Sequence, residues 1–256
     1  MTLDIQAYLQ RIGLTSPPNR DLDGLKLLHR QHLYTVPFEN LNIGTNRSII
    51  LDINLLEQKI VQNHRGGFCY ELNGLFCELL RQLGFETKMI AAGVYGKFGT
   101  FSPEFDHMAL LVTIEDDQWL ADVGFGRNFL EPLAFKMDVE QTDPAGRFKI
   151  SFDGASHYIF YMQNNEGQFV PQHRFTISSR QLSDFTEMCN FHQTSEESHF
   201  TRGRICSIAT PDGRITLGKN KLIKTINNTE VTEIINDNNV ISGILKSHFN
   251  INLKPD

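Results

Sequence analysis

Arg65-Gly66-Gly67-Phe68-Cys69-Tyr70-Glu71-Leu72-Asn73 is the stretch on which the fold turns. Beyond it, Leu72, Leu75, Phe76, Leu79, Leu80 and Leu83 recur at three- and four-residue spacing, which marks one face of a helix. Gly84 supplies a C′ stop. Two adjacent glycines do not sit cheaply inside a helix, so the helix is expected to start at or just before Cys69. That places the Cys69 thiol on a first turn, where free N–H groups and the macrodipole favour negative charge and hence the reactive thiolate. Arg65 is expected to add positive potential. A buried small residue behind a plain turn fits the same residues, and this stretch alone leaves both readings open.

Working outward, the N-terminal side reads as helical. Ile5, Tyr8, Leu9 and Ile12 share a face between Thr2 and Gly13, and Pro17-Pro18-Asn19 breaks the chain. Leu22, Leu25, Leu28 and Leu33 carry a second helix that ends at Val36-Pro37. Asp52 caps a third, with Leu55, Leu56 and Ile60. After Gly84 the pattern turns to strands: Thr87–Tyr95, His107–Ile114, Trp119–Val123, Phe148–Phe152, Tyr158–Met162 and Phe169–Pro171. A short helix is expected at Gln181–Cys189. Asp212-Gly213 reads as a hairpin turn between Ile205–Ala209 and Arg214–Leu217, and a last helix covers Asn239–Phe249.

The chain has 256 residues and a net charge of −6, with 40% hydrophobic and 21% charged residues, which suits one or two packed domains. The acidic balance argues against nucleic acid, whose binding is driven by Lys and Arg neutralising phosphates. No apolar run approaches the ~20 residues that span a bilayer, and Met1-Thr2-Leu3-Asp4 opens no secretory signal, so a cytoplasmic protein without membrane partners is expected. The four cysteines, Cys69, Cys77, Cys189 and Cys206, form no Cys-x-x-Cys pair and are expected as thiols. Cys77 lies mid-helix among apolar residues, where burial keeps a thiol inert. His29 and His32 read as packing or surface residues rather than a metal pair, because no third ligand presents itself.

A nucleophilic thiol needs a base, and the base needs a partner that orients it. His107 opens the apolar strand Met108–Val112 after a polar loop. Asp122 follows 15 residues later, across a turn expected at Glu115-Asp116-Asp117. The two can therefore end up side by side at one end of a hairpin, although two unrelated polar residues would give the same spacing. Cys on a helix N-terminus, with His and Asp on adjoining strands, is the papain-like arrangement.

These residues carry a resemblance. Arg65–Asn73 is similar to the nucleophile motif of the arylamine N-acetyltransferases. Val36-Pro37-Phe38-Glu39-Asn40-Leu41, His107-Met108 and Asp122-Val123-Gly124-Phe125-Gly126 resemble that family's other signatures in the same order. The close match covers about residues 25–133. Later, Asp184-Phe185 and Asn190 resemble the family's Asp-Phe…Asn pattern, whereas Thr194-Ser195 stands where Ser-Thr is usual and Glu197 where Pro is common.

The resemblance implies an α+β fold of papain-like architecture, with a helical bundle over 1–84, a β-barrel over 85–190 and an α/β lid over 191–256. It implies Cys69 as acyl-accepting nucleophile, His107 as base and Asp122 as its partner. Phe38 and Phe125 would shape the acceptor pocket, while Gly124, Gly126 and Arg127 would border the acyl-donor path. Glu39 and Asn40 would be scaffold. The implied reaction moves an acetyl group from acetyl-CoA, a consumed co-substrate, to an arylamine or hydrazine nitrogen, with no tightly bound cofactor and no metal. A peptidase or transglutaminase-type hydrolase, or an amide synthase, would use the same three residues.

Overall fold

The computed structural model describes residues 3–45, 47–96, 98–227 and 229–253. α1 (Ile5–Arg11) is capped by Asp4, whose carboxylate accepts from the Ala7 N–H at 2.9 Å; Thr2, the expected start, lies outside the described residues. α2 (Leu22–Thr35) starts from an Asp21 cap on the Gly24 N–H and ends at Val36, before Pro37. β1 (Phe38–Glu39) follows. α3 (Ile53–Glu57) is capped by Asp52 and runs into a π-helical turn, Gln58–Gln62. α4 (Cys69–Gln82) begins where the two glycines require and stops before Gly84, whose φ is 88°.

Every α4 residue except Glu78, Arg81 and Gln82 is buried, so this helix is the axis of the molecule. Its Leu72, Leu75, Phe76 and Leu79 pack with Tyr8, Leu9, Leu25 and Leu28 on one side and with Met108, Leu110 and Val112 on the other.

The second layer is an antiparallel eight-stranded sheet curled into a nearly closed barrel. In chain order its strands are β2 (Glu86–Val94), β3 (His107–Ile114), β4 (Asp117–Ala121), β5 (Leu133–Ala134), β6 (Gln141–Asp143), β7 (Gly146–Phe152), β8 (Tyr158–Gln163) and β9 (Phe169–Phe175). They lie side by side as β5-β4-β3-β2-β9-β8-β7-β6. Between the two ends, the Gln141 side-chain amide bonds both the N–H and the carbonyl of Ala134, at 2.7 and 2.9 Å. The unbroken apolar run of β3 has a physical reason: Met108, Leu110 and Val112 face the helices, while Ala109 and Leu111 face the barrel core with Phe129, Phe148 and Phe160.

The hairpin after β3 is tighter than expected. Ile114 pairs with Asp117, so Glu115-Asp116 form the turn and Asp117 belongs to β4. β4 ends at Ala121, which leaves Asp122 just past the strand.

A 3₁₀ turn (Leu182–Phe185) and α5 (Thr186–Thr194) return to the helical core, where Phe185 and Cys189 are buried. The remaining strands are β10 (Cys206–Thr210), β11 (Gly213–Leu217), β12 (Lys221–Ile226) and β13 (Thr229–Ile234), and α6 (Ile241–Phe249) packs against them. Here Thr210 pairs with Gly213, so Pro211-Asp212 make the hairpin turn instead of Asp212-Gly213. This second sheet runs β1-β10-β11-β12-β13. β1 thus joins it to the segment that carries Cys69, since the Glu39 N–H donates to the Gly67 carbonyl at 2.8 Å.

Gly66 makes that junction possible. A Cβ there would lie 1.9 Å from the Pro37 carbonyl oxygen and 2.9 Å from Glu39 Cγ. Gly66→Ala is expected to prise β1 from the turn before α4 and cost about 1–3 kcal/mol, the usual cost of overpacking. Urea unfolding monitored by far-UV circular dichroism measures it, and an unchanged midpoint would contradict the packing described.

Candidate active site

Three elements place three side chains around one space. Cys69 is the first residue of α4, and Glu71 tightens that turn by accepting from the Phe68 N–H at 3.1 Å. Lys59 Nζ lies 2.7 Å from Glu71 Oε1. Arg65 does not add potential at the thiol as expected. Its Nε and Nη2 reach Glu39 Oε1 at 2.9 and 2.7 Å, and Nη2 also donates to Asn42 Oδ1. Burial raises the Glu39 carboxyl, but Lys59 and Arg65 outweigh it and hold the group below its ordinary value. Arg65 thus neutralises a buried carboxylate, and the pair fixes the turn.

His107 opens β3, and its Nε2 lies 2.8 Å from Asp122 Oδ2, with both side chains buried. Asn73, one helical turn after Cys69, donates to Asp122 Oδ1 at 2.8 Å and to the Met108 carbonyl at 2.6 Å, and accepts from the Val123 N–H at 2.9 Å. Gly124 N–H and Asn128 Nδ2 complete the set around the carboxylate, at 2.9 and 3.1 Å. Burial alone would raise the Asp122 carboxyl; the charge and hydrogen bond of His107, with His173 and Asn73, reverse that and hold it low. An ionised Asp122 accepts from Nε2–H, which leaves His107 Nδ1 as the nitrogen with a lone pair.

Behind them, His29 Nε2 accepts from the Asp122 N–H at 3.0 Å, and its Nδ1 lies 2.9 Å from the Leu130 carbonyl. Gly124 lets this loop close on the first turn of α4, since a Cβ there would meet Asn73 Nδ2 and the Cys69 Cα, each at 2.7 Å.

Cys69 and His107 open onto a cavity of about 520 Å³, shared with Phe38, Gly124, Phe125, Gly126 and Arg127. Every site residue expected from the sequence lines this space except Asp122, which sits behind His107. The Phe125 ring lies 5.0 Å from the His107 ring. Asn40 has the structural part expected of it: its Nδ2 donates to the Phe200 and Gly203 carbonyls and its Oδ1 accepts from the Ile205 N–H, pinning the loop that forms the far wall. Glu39 does likewise through Arg65.

Sequence reading missed that wall, with Phe200, Arg202 and Arg204, along with Asn73, Asn128 and His173. Asn73 alone had a signal, its four-residue spacing from Cys69.

The thiol itself runs against one expectation. Burial pushes Cys69 well above the ordinary thiol range, Asp106 and Asp122 add to the rise, and only a hydrogen bond with the Met108 backbone pulls it down. A base beside such a thiol can take its proton, and His107 Nδ1 is the nitrogen in this cavity left with a lone pair. Cys77 and Cys189 are buried and pushed up to about 12, Cys206 is likewise raised, and none lines this cavity.

Comparison with known proteins gives one answer. Residues 21–256 match the family model described as N-acetyltransferase. The chain is 34% identical to the arylamine N-acetyltransferase of Escherichia coli over 85% of its own length and 77% of that protein's. It is 30% identical to human arylamine N-acetyltransferase 1 over 98% and 95%. The structure of the arylamine N-acetyltransferase from Salmonella typhimurium superposes with a TM-score of 0.93 at 29% identity, covering 100% of this chain and 93% of that one.

The buried imidazoles generate a pH dependence. Burial lowers His29 to about 4 and His173 to about 3, and holds His32 well below its ordinary value. The unfolded chain binds protons at these residues below about pH 6.5 and the folded chain does not, so stability is full above that value and lost as pH falls toward the folded values. Unfolding free energies from urea titrations are expected to drop between pH ~7 and ~5, by on the order of 2 kcal/mol per imidazole. His173→Phe should remove roughly one imidazole's share, and a flat profile would contradict three neutral histidines.

Proposed function

The chain belongs to the arylamine N-acetyltransferase family, and we propose that it carries an acetyl group from acetyl-CoA to the nitrogen of an arylamine or hydrazine by way of an acetyl-Cys69 intermediate. The observation that supports this most is the 2.8 Å contact of His107 Nε2 with Asp122, beside a cavity that holds His107 and Cys69 together.

In the first half-reaction Cys69 Sγ attacks the thioester carbonyl carbon while His107 Nδ1 takes the thiol proton, and Asp122 stabilises the resulting imidazolium. The carbon–sulfur bond to the coenzyme breaks and the departing sulfur takes the proton. One thioester has replaced another, so the step is nearly balanced. In the second half-reaction the neutral amine attacks the acetyl carbon, the bond from that carbon to Cys69 Sγ breaks, His107 collects the nitrogen's proton and returns it to the Cys69 sulfur, and amide formation drives the sequence forward. No metal or tightly bound cofactor enters either half.

The cavity walls suit both partners. Phe38, Phe125 and Phe200 offer faces to an aromatic ring. Arg127, Arg202 and Arg204 line the same space, and none is paired with a carboxylate among the described residues. Arg127 also borders a smaller cavity of about 200 Å³ with Arg214, which is lowered to about 10 by burial and by the charge of Arg127. Guanidinium groups not paired with a carboxylate are suited to phosphates, such as those of a coenzyme, although Asp106 and Asp212 also line these two cavities.

Mixing the protein with acetyl-CoA and no acceptor is expected to release one free coenzyme thiol per chain and to add an acetyl group to the peptide containing Cys69, read by mass spectrometry. Acetyl on Cys77, or peptide cleavage without coenzyme, would replace this reading with another. Asp122→Asn should slow acylation by about 10²–10⁴-fold, as loss of the orienting carboxylate does in the serine-protease triad; a near-normal rate would remove Asp122 from the reaction.

A further inference from the structure

We propose that His107, Asp122 and His173 form a binding site for a divalent cation of the zinc, cobalt or nickel type, and that a cation held there switches acyl transfer off. The binding stands on geometry alone, whereas the switching rests on the reaction proposed above.

His173 is the unexplained residue of this region. It lies on β9, opposite Val94 of β2 and Phe160 of β8, and is fully buried. Its ring lies 5.3 Å from those of His107 and Phe125 and 5.0 Å from that of Phe160. Neither nitrogen has a hydrogen-bond partner among the described residues, and Nε2 stands 4.0 Å from Asp122 Oδ2, too far for a hydrogen bond. An apolar ring would fill this aromatic corner without leaving two polar atoms unpaired, so the imidazole calls for a ligand.

The surroundings meet the needs of a metal. One ligand atom from each of His107, Asp122 and His173 lies within 4.8 Å of the others, all buried. Two imidazole nitrogens and one carboxylate oxygen suit zinc and its neighbours, with a fourth position left to water from the cavity that His107 borders. Bonds of about 2.0–2.2 Å put tetrahedral ligands roughly 3.3–3.5 Å apart. The 2.8 Å contact of His107 with Asp122 must therefore open by about half an ångström, and the 4.0 Å gap to His173 close by a similar amount. Asn73 Nδ2 and Gly124 N–H already hold Oδ1 of Asp122, as outer partners hold a ligating carboxylate.

The proton balance explains the switch. Asp122 is ionised and His173 neutral, so both are ready to ligate. The cation displaces only the proton on His107 Nε2, which passes to Nδ1 with no net release from a neutral ring. His107 then carries hydrogen on the nitrogen that should receive the thiol proton, and Cys69 loses its base.

Cobalt(II) is the probe, titrated into metal-stripped Cys69→Ser protein so that no thiolate competes. Visible absorption from nitrogen and oxygen ligands is expected, without a sulfur charge-transfer band. His173→Phe on the same background is expected to weaken binding by at least ~100-fold, beyond the ~10–100-fold that outer partners carry. In a second measurement, zinc should shift the imidazole ¹⁵N resonances of both His107 and His173 in Cys69→Ser protein. Cobalt that binds only when Cys69 is present, binding indifferent to His173→Phe, or an unmoved His173 resonance would each overturn the site. Zinc that binds here yet leaves acetylation of unsubstituted Cys69 unaffected would overturn the switch and spare the site.

Discussion

One buried carboxylate organises this molecule. Asp122 is wholly excluded from solvent, and an ion in that position is tolerated only when its lone pairs are used. Its oxygens accept from His107 on β3, Asn73 on α4, Asn128, and the Gly124 N–H, while its own N–H is held by His29 on α2. Two helices, a strand and the loop after β4 are thereby brought to one point, and the His107 ring is held in one tautomer. Removing any donor leaves a charge short of partners in a dry interior, so the arrangement is cooperative.

The same interior works against the sulfur. Burial favours the neutral thiol, and the Arg65 guanidinium, four residues before it in the chain, is occupied by Glu39. In the reaction proposed, a thiol in such a place is quiet until its proton has somewhere to go, and Asp122 favours that transfer by stabilising a positive imidazole. On that proposal reactivity belongs to Cys69 and His107 as a pair.

Local pattern carried much of this into the sequence. The start of α4 at Cys69 follows from Gly66-Gly67, the end of α2 from Pro37, and the doubly buried β3 from its unbroken apolar run. The closeness of His107 and Asp122 could be read as a hairpin end, although the tighter Glu115-Asp116 turn moved Asp122 off the strand. Other features arise only when distant segments meet. Arg65 looked free because its partner, Glu39, lies 26 residues earlier. His173 reaches Asp122 through the pairing of β9 with β2, and Arg202 and Arg204 reach the cavity because Asn40 pins their loop from 160 or more residues away. β12 and β13 went unread although Lys221–Ile226 and Thr229–Ile234 are rich in the β-branched residues that mark strands.

The burial of α4 has a consequence for how such a molecule can diversify. The residues beside the sulfur on its helix also hold the core together, so evolution has little freedom to retune them without unfolding the chain. The opposite wall is built from partly exposed side chains between Phe200 and Ile205, fastened mainly through the backbone by Asn40. Substitutions there leave those anchors in place, so new preferences among acceptors can accumulate on that wall while the sulfur and its partners stay as they are.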